Sequence, residues 1–180
     1  MSYICRQMSK MKYSVKEQAH QLQQLNEAIA TYIRQPRLQR LNVQIPVDTT
    51  FDDILADKFL LVQIIREGIP FSLFDLIKVS TPFTESDWAS ILDLSSKSLH
   101  RYKAENGFNF KPAHTEKILE MAELTKVGLG VFGTMDAFKR WLTTPSFALG
   151  GMKPMELLLD SFGKNLVLDE LIRVEHGIFV

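Results

Sequence analysis

The chain has 180 residues, 21 basic and 21 acidic side chains that sum to a formal net charge of zero, and a single cysteine. The length suits one or two small domains with a buried core, and the composition is that of a globular protein rather than a disordered one. The neutral charge excludes nucleic-acid binding by bulk attraction, and the lone Cys5 excludes a disulfide framework or a cysteine-rich zinc site.

The first 48 residues differ in charge from the rest of the chain. They carry seven Lys or Arg against three acids, a net charge of +4, so the remaining residues carry 14 against 18, a net charge of −4. No signal-peptide pattern opens the chain, and no uncharged apolar window approaches the length needed to span a bilayer. The sequence therefore predicts a cytoplasmic protein without a membrane segment.

Residues 13–35 have apolar side chains at helical spacing and are followed by Pro36, which cannot continue a helix. Two interpretations are open. The helix could dock on the main body, or its apolar side chains could form a short coiled-coil seam for self-association. Residues 36–50 contain two prolines and several polar residues, and they are predicted to be a linker.

Helical periodicity continues to the end of the chain, and strand signals are scarce, so the predicted fold class is all-α. One helix is predicted over about 52–67, with Ile54, Phe59 and Val62 on its apolar face, and another over about 71–79. A long helix should begin at Pro112 and end near Phe132. The last predicted helices begin after residue 134, at residue 154 with a stop at Gly163, and at residue 165 with an end near residue 176.

The segment 84–104 has the pattern of a helix-turn-helix. A capping-box-like start at Thr84 precedes a short apolar helix, and Ser95 is placed to cap a second helix after a tight turn. In such a motif the second helix enters the major groove and its polar side chains contact DNA. The alternative is a helical hairpin with a solvated polar face. The candidate DNA-binding residues are Ser96, Lys97, Ser98, His100, Arg101 and Lys103.

Other motifs give no support for catalysis or cofactor binding. Gly128, Gly130 and Gly133 fit a dinucleotide fingerprint, but they continue a helical pattern instead of following a strand, so they are interpreted as small residues for close helix packing. None of the four histidines lies four residues from another potential metal ligand. The sequence therefore predicts a protein that is not an enzyme and has neither cofactor nor metal.

The last third of the chain has a series of short segments at fixed offsets. The segments are Val131-Phe-Gly, Trp141-Leu, Pro145, Ala148-Leu-Gly-Gly151, Pro154, Leu157-Leu158 and Arg173-Val-Glu-His-Gly-Ile178. Through these segments the last third resembles the toxin-binding domain of the Xre/MbcA/ParS-type antitoxins, and looser similarity extends upstream to about residue 54.

This resemblance implies an Xre-like helix-turn-helix domain at residues 49–125 and a small helical toxin-binding domain at 126–180, preceded by a helical extension at 1–48. The implied function is that of a type II antitoxin, which binds and blocks a RES-type or related toxin that consumes NAD or transfers ADP-ribose. The implied partners are the cognate toxin and promoter DNA, with the antitoxin in a homodimer or a toxin–antitoxin hetero-oligomer. The toxin-binding candidates by motif match are Trp141, Leu149, Gly150, Glu175, His176, Gly177, Ile178, Phe179 and Val180.

Alternatives to this interpretation stay open at the level of sequence. Trp141, Leu149 and Gly150 could serve internal packing instead of toxin contact. The family usually has Ser-x-Arg near the start of the long helix, where this chain has Thr115-Glu-Lys117. The chain could also be a stand-alone transcription regulator, or a protein-interaction module in which the helix-turn-helix no longer binds DNA.

Overall fold

The computed structural model describes residues 19–35, 46 and 49–177, and these residues form an all-α fold. In the described part of the chain, extended backbone pairs at one isolated bridge, between Pro70 and Asn109. The helices are α1 (19–33), α2 (Phe51–Ala56), α3 (Lys58–Glu67), α4 (Phe71–Val79), α5 (Glu85–Ile91), α6 (Ser96–Ala104), α7 (Pro112–Phe132), α8 (Met135–Thr143), a 3-10 helix (Phe147–Leu149), α9 (Pro154–Leu157) and α10 (Ser161–Glu175).

Several helices begin where the sequence predicts an N-cap. The Thr84 hydroxyl accepts a hydrogen bond from the Asp87 amide, and the Asp87 carboxylate accepts one from the Thr84 amide, which completes a capping box. Ser95 and Thr134 cap α6 and α8 with their hydroxyls, which accept from the amides of Ser98 and Ala137. Pro112 occupies the first turn of α7, where the missing N–H costs nothing.

The helix predicted over about 52–67 is two helices, α2 and α3, which meet at Asp57. The Asp57 backbone is extended, and its carboxylate accepts hydrogen bonds from the amides of Phe59 and Leu60, so it caps α3. This break changes which face of α3 is buried. Phe59 is 82% exposed, while Leu60 and Ile64 lie in the core. The prediction of one helix with Phe59 on its apolar face was therefore wrong.

Helix α1 docks on the main body, as the first of its two interpretations predicts. Leu25 and Ile29 are each 1% exposed, so the apolar side chains of α1 are used within the core. The buried Tyr32 hydroxyl donates to the Gly68 carbonyl at 2.6 Å, and the Phe51 amide donates to the Asn26 side chain at 2.9 Å. Residues 1–18, which include Cys5, lie outside the described residues, as does most of the predicted linker.

An aromatic cluster forms the centre of the first half of the fold. The Phe74 ring lies 5.4 Å from Phe71, 5.2 Å from Trp88 and 5.1 Å from Phe110, measured between ring centroids and in edge-to-face arrangements. Such rings bury large apolar areas and add a favourable quadrupole interaction. The cluster joins α4 to α5 and to the segment before α7, so it sets where α5 and α6 lie.

Helix α7 connects the two halves of the fold. It packs against α3 on one side and against α8 and α10 on the other. Lys58 of α3 pairs with Glu123 at 2.6 Å, and Lys164 of α10 pairs with Glu120 at 2.6 Å. The predicted division between residues 125 and 126 falls inside this continuous helix, and the division into domains stays a prediction.

Two glycines allow close approach of helices in the second half. A Cβ on Gly128 would overlap the ring of Phe138 on α8, so the packing interpretation of this glycine is confirmed. A Cβ on Gly130 or Gly133 would meet nothing within 4 Å, so the packing interpretation of these two glycines was wrong. The sequence analysis predicted that Gly163 ends a helix, and this prediction was wrong. Gly163 lies inside α10, where a Cβ would overlap the carbonyl oxygen of Leu157. Helix α10 begins after Asp160, which caps it by accepting from the Gly163 amide at 2.8 Å, and not at Asn165.

Candidate functional site

One face of α6 carries several of the predicted DNA-binding side chains. Ser96, Lys97, His100 and Arg101 are exposed, and their spacing places them along one side of the helix, with Lys97 and Arg101 opposite Leu99. Leu99 is 2% exposed and anchors the helix to the body. The structure thus brings four of the six candidates onto one accessible face, which we call the α6 face.

The two remaining candidates, Lys103 and Ser98, lie at the edges of the α6 face. Lys103 is exposed in the last turn of the helix. Ser98 is half-buried, its amide donates to the Ser95 hydroxyl at 3.0 Å, and the two hydroxyls lie 2.9 Å apart. The Ser98 side chain is therefore used to begin the helix, and it is less available to a ligand than the four residues of the α6 face.

The charges on this face are largely unengaged. Within the described residues, Lys97, Arg101 and Lys103 form no ion pair, whereas His100 Nε2 lies 3.1 Å from a carboxylate oxygen of Glu85. The Arg101 guanidinium also lies 5.2 Å from the ring centroid of Tyr102. Glu85 is a residue that sequence reasoning missed, because its contact with α6 depends on how α5 and α6 cross.

The turn before α6 is held by Lys117 of α7. Asp93 takes a left-handed backbone conformation (φ 53°) between α5 and α6. The Lys117 ammonium donates to the Ile91 carbonyl at 2.7 Å, at the carboxyl end of α5, where a cation is favoured by the helix dipole. Thr115, two residues before Lys117, is fully buried, and its hydroxyl accepts a hydrogen bond from the Ile69 amide at 3.2 Å.

Two of the predicted toxin-binding residues near α8, Trp141 and Leu149, contribute to the interior. Trp141 is half-buried, and its ring centroid lies 5.5 Å from that of Phe132. Leu149 is 7% exposed, while Gly150 is exposed and has a positive φ of 68° that ends the 3-10 helix. Trp141 and Leu149 therefore have the packing roles that the sequence left open, and their contact with a toxin stays a prediction.

The remaining toxin-binding candidates lie at the carboxyl end of α10. Glu175 is the last helical residue, and Glu175, His176 and Gly177 are all exposed. Ile178, Phe179 and Val180 lie outside the described residues. The end of α10 thus presents its last residues to solvent. We call residues 177–180 the tail segment.

Sequence reasoning also missed a group of exposed apolar side chains near α10. Phe162 is 87% exposed, Leu166 52% and Leu159 49%. Phe162 and Leu166 are one turn apart in α10, and Leu159 lies in the turn before it. A predicted stop at Gly163 separated Phe162 from Leu166, so the pattern was hidden. We call Leu159, Phe162 and Leu166 the apolar patch.

Other site chemistry is sparse in the described part of the chain. None of its helices is both long and apolar enough to cross a membrane. Over the same residues, His, Cys, Asp and Glu side chains form no group of three or more that could hold a metal ion.

Comparison with known proteins finds similarity in the C-terminal part of the chain. Residues 130–177 match the family model of the antitoxin Xre/MbcA/ParS C-terminal toxin-binding domain. The chain is 29% identical over 122 residues to the antitoxin Xre of Yersinia enterocolitica, which covers 67% of this chain and 81% of that protein. It is also 29% identical over 63 residues to the antitoxin Xre of Pseudomonas putida, covering 35% of this chain and 40% of that protein. These comparisons support an antitoxin of the Xre/MbcA/ParS type, with residues 130–177 matching the C-terminal toxin-binding domain of that type.

Proposed function

We propose that this antitoxin blocks a cytoplasmic toxin of the RES type, or a related enzyme that consumes NAD or transfers ADP-ribose. Residues 130–177 would cover the toxin, and the tail segment would enter and obstruct its NAD pocket. The observation that carries this proposal is the exposed end of α10 within the matched toxin-binding domain. A rigid helix that presents a short segment to a concave pocket loses little conformational entropy on binding, which favours this mode of inhibition.

Deletion of residues 177–180 tests the blocking mechanism. The protein encoded by the neighbouring gene is taken as the candidate toxin and co-expressed with the full chain or with the deletion variant, and growth is followed. We expect the full chain to rescue growth and the variant to fail, while circular dichroism shows that the helical content is kept. Full rescue by the deletion variant would refute a role for the tail segment.

We also propose that the α6 face binds the major groove at the promoter of the antitoxin's own operon. The support is the pair Lys97 and Arg101, which lie one turn apart, are exposed, and form no ion pair with another described residue. Side chains so placed can contact phosphates or base edges. An antitoxin dimer, or two antitoxins joined through the toxin, would match a palindromic operator.

Removal of two charges from the α6 face tests the DNA proposal. Lys97→Ala with Arg101→Ala should weaken binding to the promoter fragment and reduce the slope of log K against log salt by about 2, if both residues contact phosphates. The matched control is Lys139→Ala with Arg140→Ala, which removes two exposed charges from α8. Equal loss of affinity in both double variants would show that the effect is one of overall charge and would contradict the assignment.

The two sets of variants also control for each other. The tail deletion should leave promoter affinity unchanged, because α6 and the end of α10 belong to different halves of the fold. The Lys97 and Arg101 double variant should still rescue growth. Size-exclusion chromatography with light scattering gives the mass of the antitoxin bound to the promoter fragment, with and without the toxin, and so shows which assembly binds the promoter.

A further inference from the structure

The apolar patch lies on the solvent side of α10 and on the segment that leads into it. Phe162 and Leu166 are one turn apart, so they share one face of the helix. The neighbouring face is the buried one: Val167 and Leu171 are each 0% exposed. Helix α10 is thus packed on one side and bears a nearly fully exposed phenylalanine on another.

The fold does not require this patch. Helix α10 is held by its buried apolar residues, by the Asp160 cap and by the ion pair of Lys164 with Glu120. From the exposed fractions, the patch presents roughly 350 Å² of apolar surface to water. That is within the size range of the largest patches on single-chain proteins, which are often functional.

We propose that the apolar patch is the anchor by which this antitoxin holds its toxin. This inference rests on the proposed function, in which the tail segment has the blocking role. The anchor supplies most of the affinity, because a large aromatic side chain buried at the centre of an interface is the usual kind of hot spot.

The position of the patch favours the toxin over a second copy of this chain as the occupant. The patch lies within residues 130–177, which match a toxin-binding domain. Phe162 and Glu175 are 13 residues apart in one helix, which is about 20 Å along its axis. A partner that contacts both would span this length of α10, whereas a symmetric contact through the patch alone would bury less than half of the roughly 800 Å² per side of a standard interface.

The chain offers a matched control for a test of the anchor. Phe59 on α3 is 82% exposed, compared with 87% for Phe162, and it lies outside the matched domain. Replacing either phenylalanine by serine removes the same side chain from a solvent-facing helix position. A general effect of surface hydrophobicity would appear in both variants, while an anchor would be lost in one.

The experiment measures the affinity of the full chain, of the Phe162→Ser and Phe59→Ser variants and of the 177–180 deletion for the purified adjacent toxin. We expect Phe162→Ser to raise the Kd at least thirtyfold and Phe59→Ser to change it by less than about twofold. The deletion variant should bind within about tenfold of the full chain and yet fail to rescue growth. Circular dichroism of each variant confirms that α10 is intact.

Several outcomes would overturn the proposal. If the Phe162→Ser variant bound the toxin with the Kd of the full chain, the role of the patch as an anchor would be refuted, and the proposed function would stand. Conversion of a dimer to a monomer by Phe162→Ser, with the Kd for the toxin unchanged, would assign the patch to a second copy of this chain. Absence of binding by the full chain itself would refute the proposed function, and the anchor with it.

Discussion

Gly163 should be among the least replaceable residues of the toxin-binding domain. An alanine Cβ at this position would overlap the Leu157 carbonyl oxygen and lie 2.9 Å from the carbonyl carbon. Because these are backbone atoms of the preceding segment, the overlap can be relieved only if α9 and α10 move apart. Gly163→Ala therefore tests whether the close approach of these two helices is a requirement of the fold.

The expected size of the effect follows from two opposing contributions. Alanine gains about 1 kcal/mol over glycine in a helix interior, whereas an overpacked contact typically costs 1–3 kcal/mol and more when backbone must move. We expect the free energy of unfolding to fall by about 2 kcal/mol, which lowers Tm by about 4–8 °C in a chain of this size. Urea unfolding followed by circular dichroism measures the change.

Gly130→Ala is the matched control for this prediction. Gly130 lies within α7, and a Cβ there would meet nothing within 4 Å. This variant should keep the helix-propensity gain without the overlap, and it should raise the free energy of unfolding by about 0.5–1 kcal/mol. If Gly163→Ala were as stable as the unchanged chain, or more so, the argument from close approach would be refuted.

Three further predictions concern caps and pH. Asp57→Ala should lower the free energy of unfolding by about 1 kcal/mol, seen as a lower urea midpoint, because α3 loses its cap. Burial, and secondarily Glu67, raise the pKa of Tyr32, so the folded state resists ionisation and stability should fall above about pH 10; Tyr32→Phe should remove this dependence. Burial, and then Lys117 and Lys111, lower the pKa of His114, so the unfolded state binds more protons and stability should fall as the pH drops below about 6.5. His114→Gln should flatten that acid limb of the stability curve, and a Tm that stays constant from pH 7 to 5 in the unchanged chain would contradict the assignment.

Helix ends that depend on local chemistry could be predicted from the sequence. The Thr84 and Asp87 capping box, the Ser95 cap and Pro112 in the first turn of α7 all lie where the sequence places them. Each requires only residues within one turn of chain. Such signals are complete in a short window, so they can be interpreted without knowledge of the tertiary structure.

The missed boundaries have a different physical origin. Asp57 stands within a run of apolar residues at helical spacing, and the same spacing continues on both sides of the break, so periodicity alone does not reveal the change of register. Gly163 could either end a helix or allow a close approach, and the proximity of the Leu157 carbonyl decides between the two. The second error also separated Phe162 from Leu166, which is why the apolar patch could not be predicted.

The candidate site likewise has features that local sequence reveals and features that depend on tertiary contacts. The α6 face could be predicted because Lys97 and Arg101 follow a recognisable cap and turn, and helical spacing places them together. The Glu85 contact with His100 and the Lys117 contact with the Ile91 carbonyl could not, because both require the crossing of separate helices.

Helix α7 fixes the two proposed surfaces relative to each other. Lys117 contacts the Ile91 carbonyl at the end of α5, just before the turn that leads to α6, and Glu120 pairs with Lys164 of α10. These two contacts leave α7 three residues apart, which is about 4.5 Å along the helix axis. The contact that holds the end of α5 and the contact that holds α10 are therefore separated by less than one turn of one continuous helix. Because packed helices shift as units, a displacement of α10 that moved Glu120 would move α7 within one turn of the Lys117 contact.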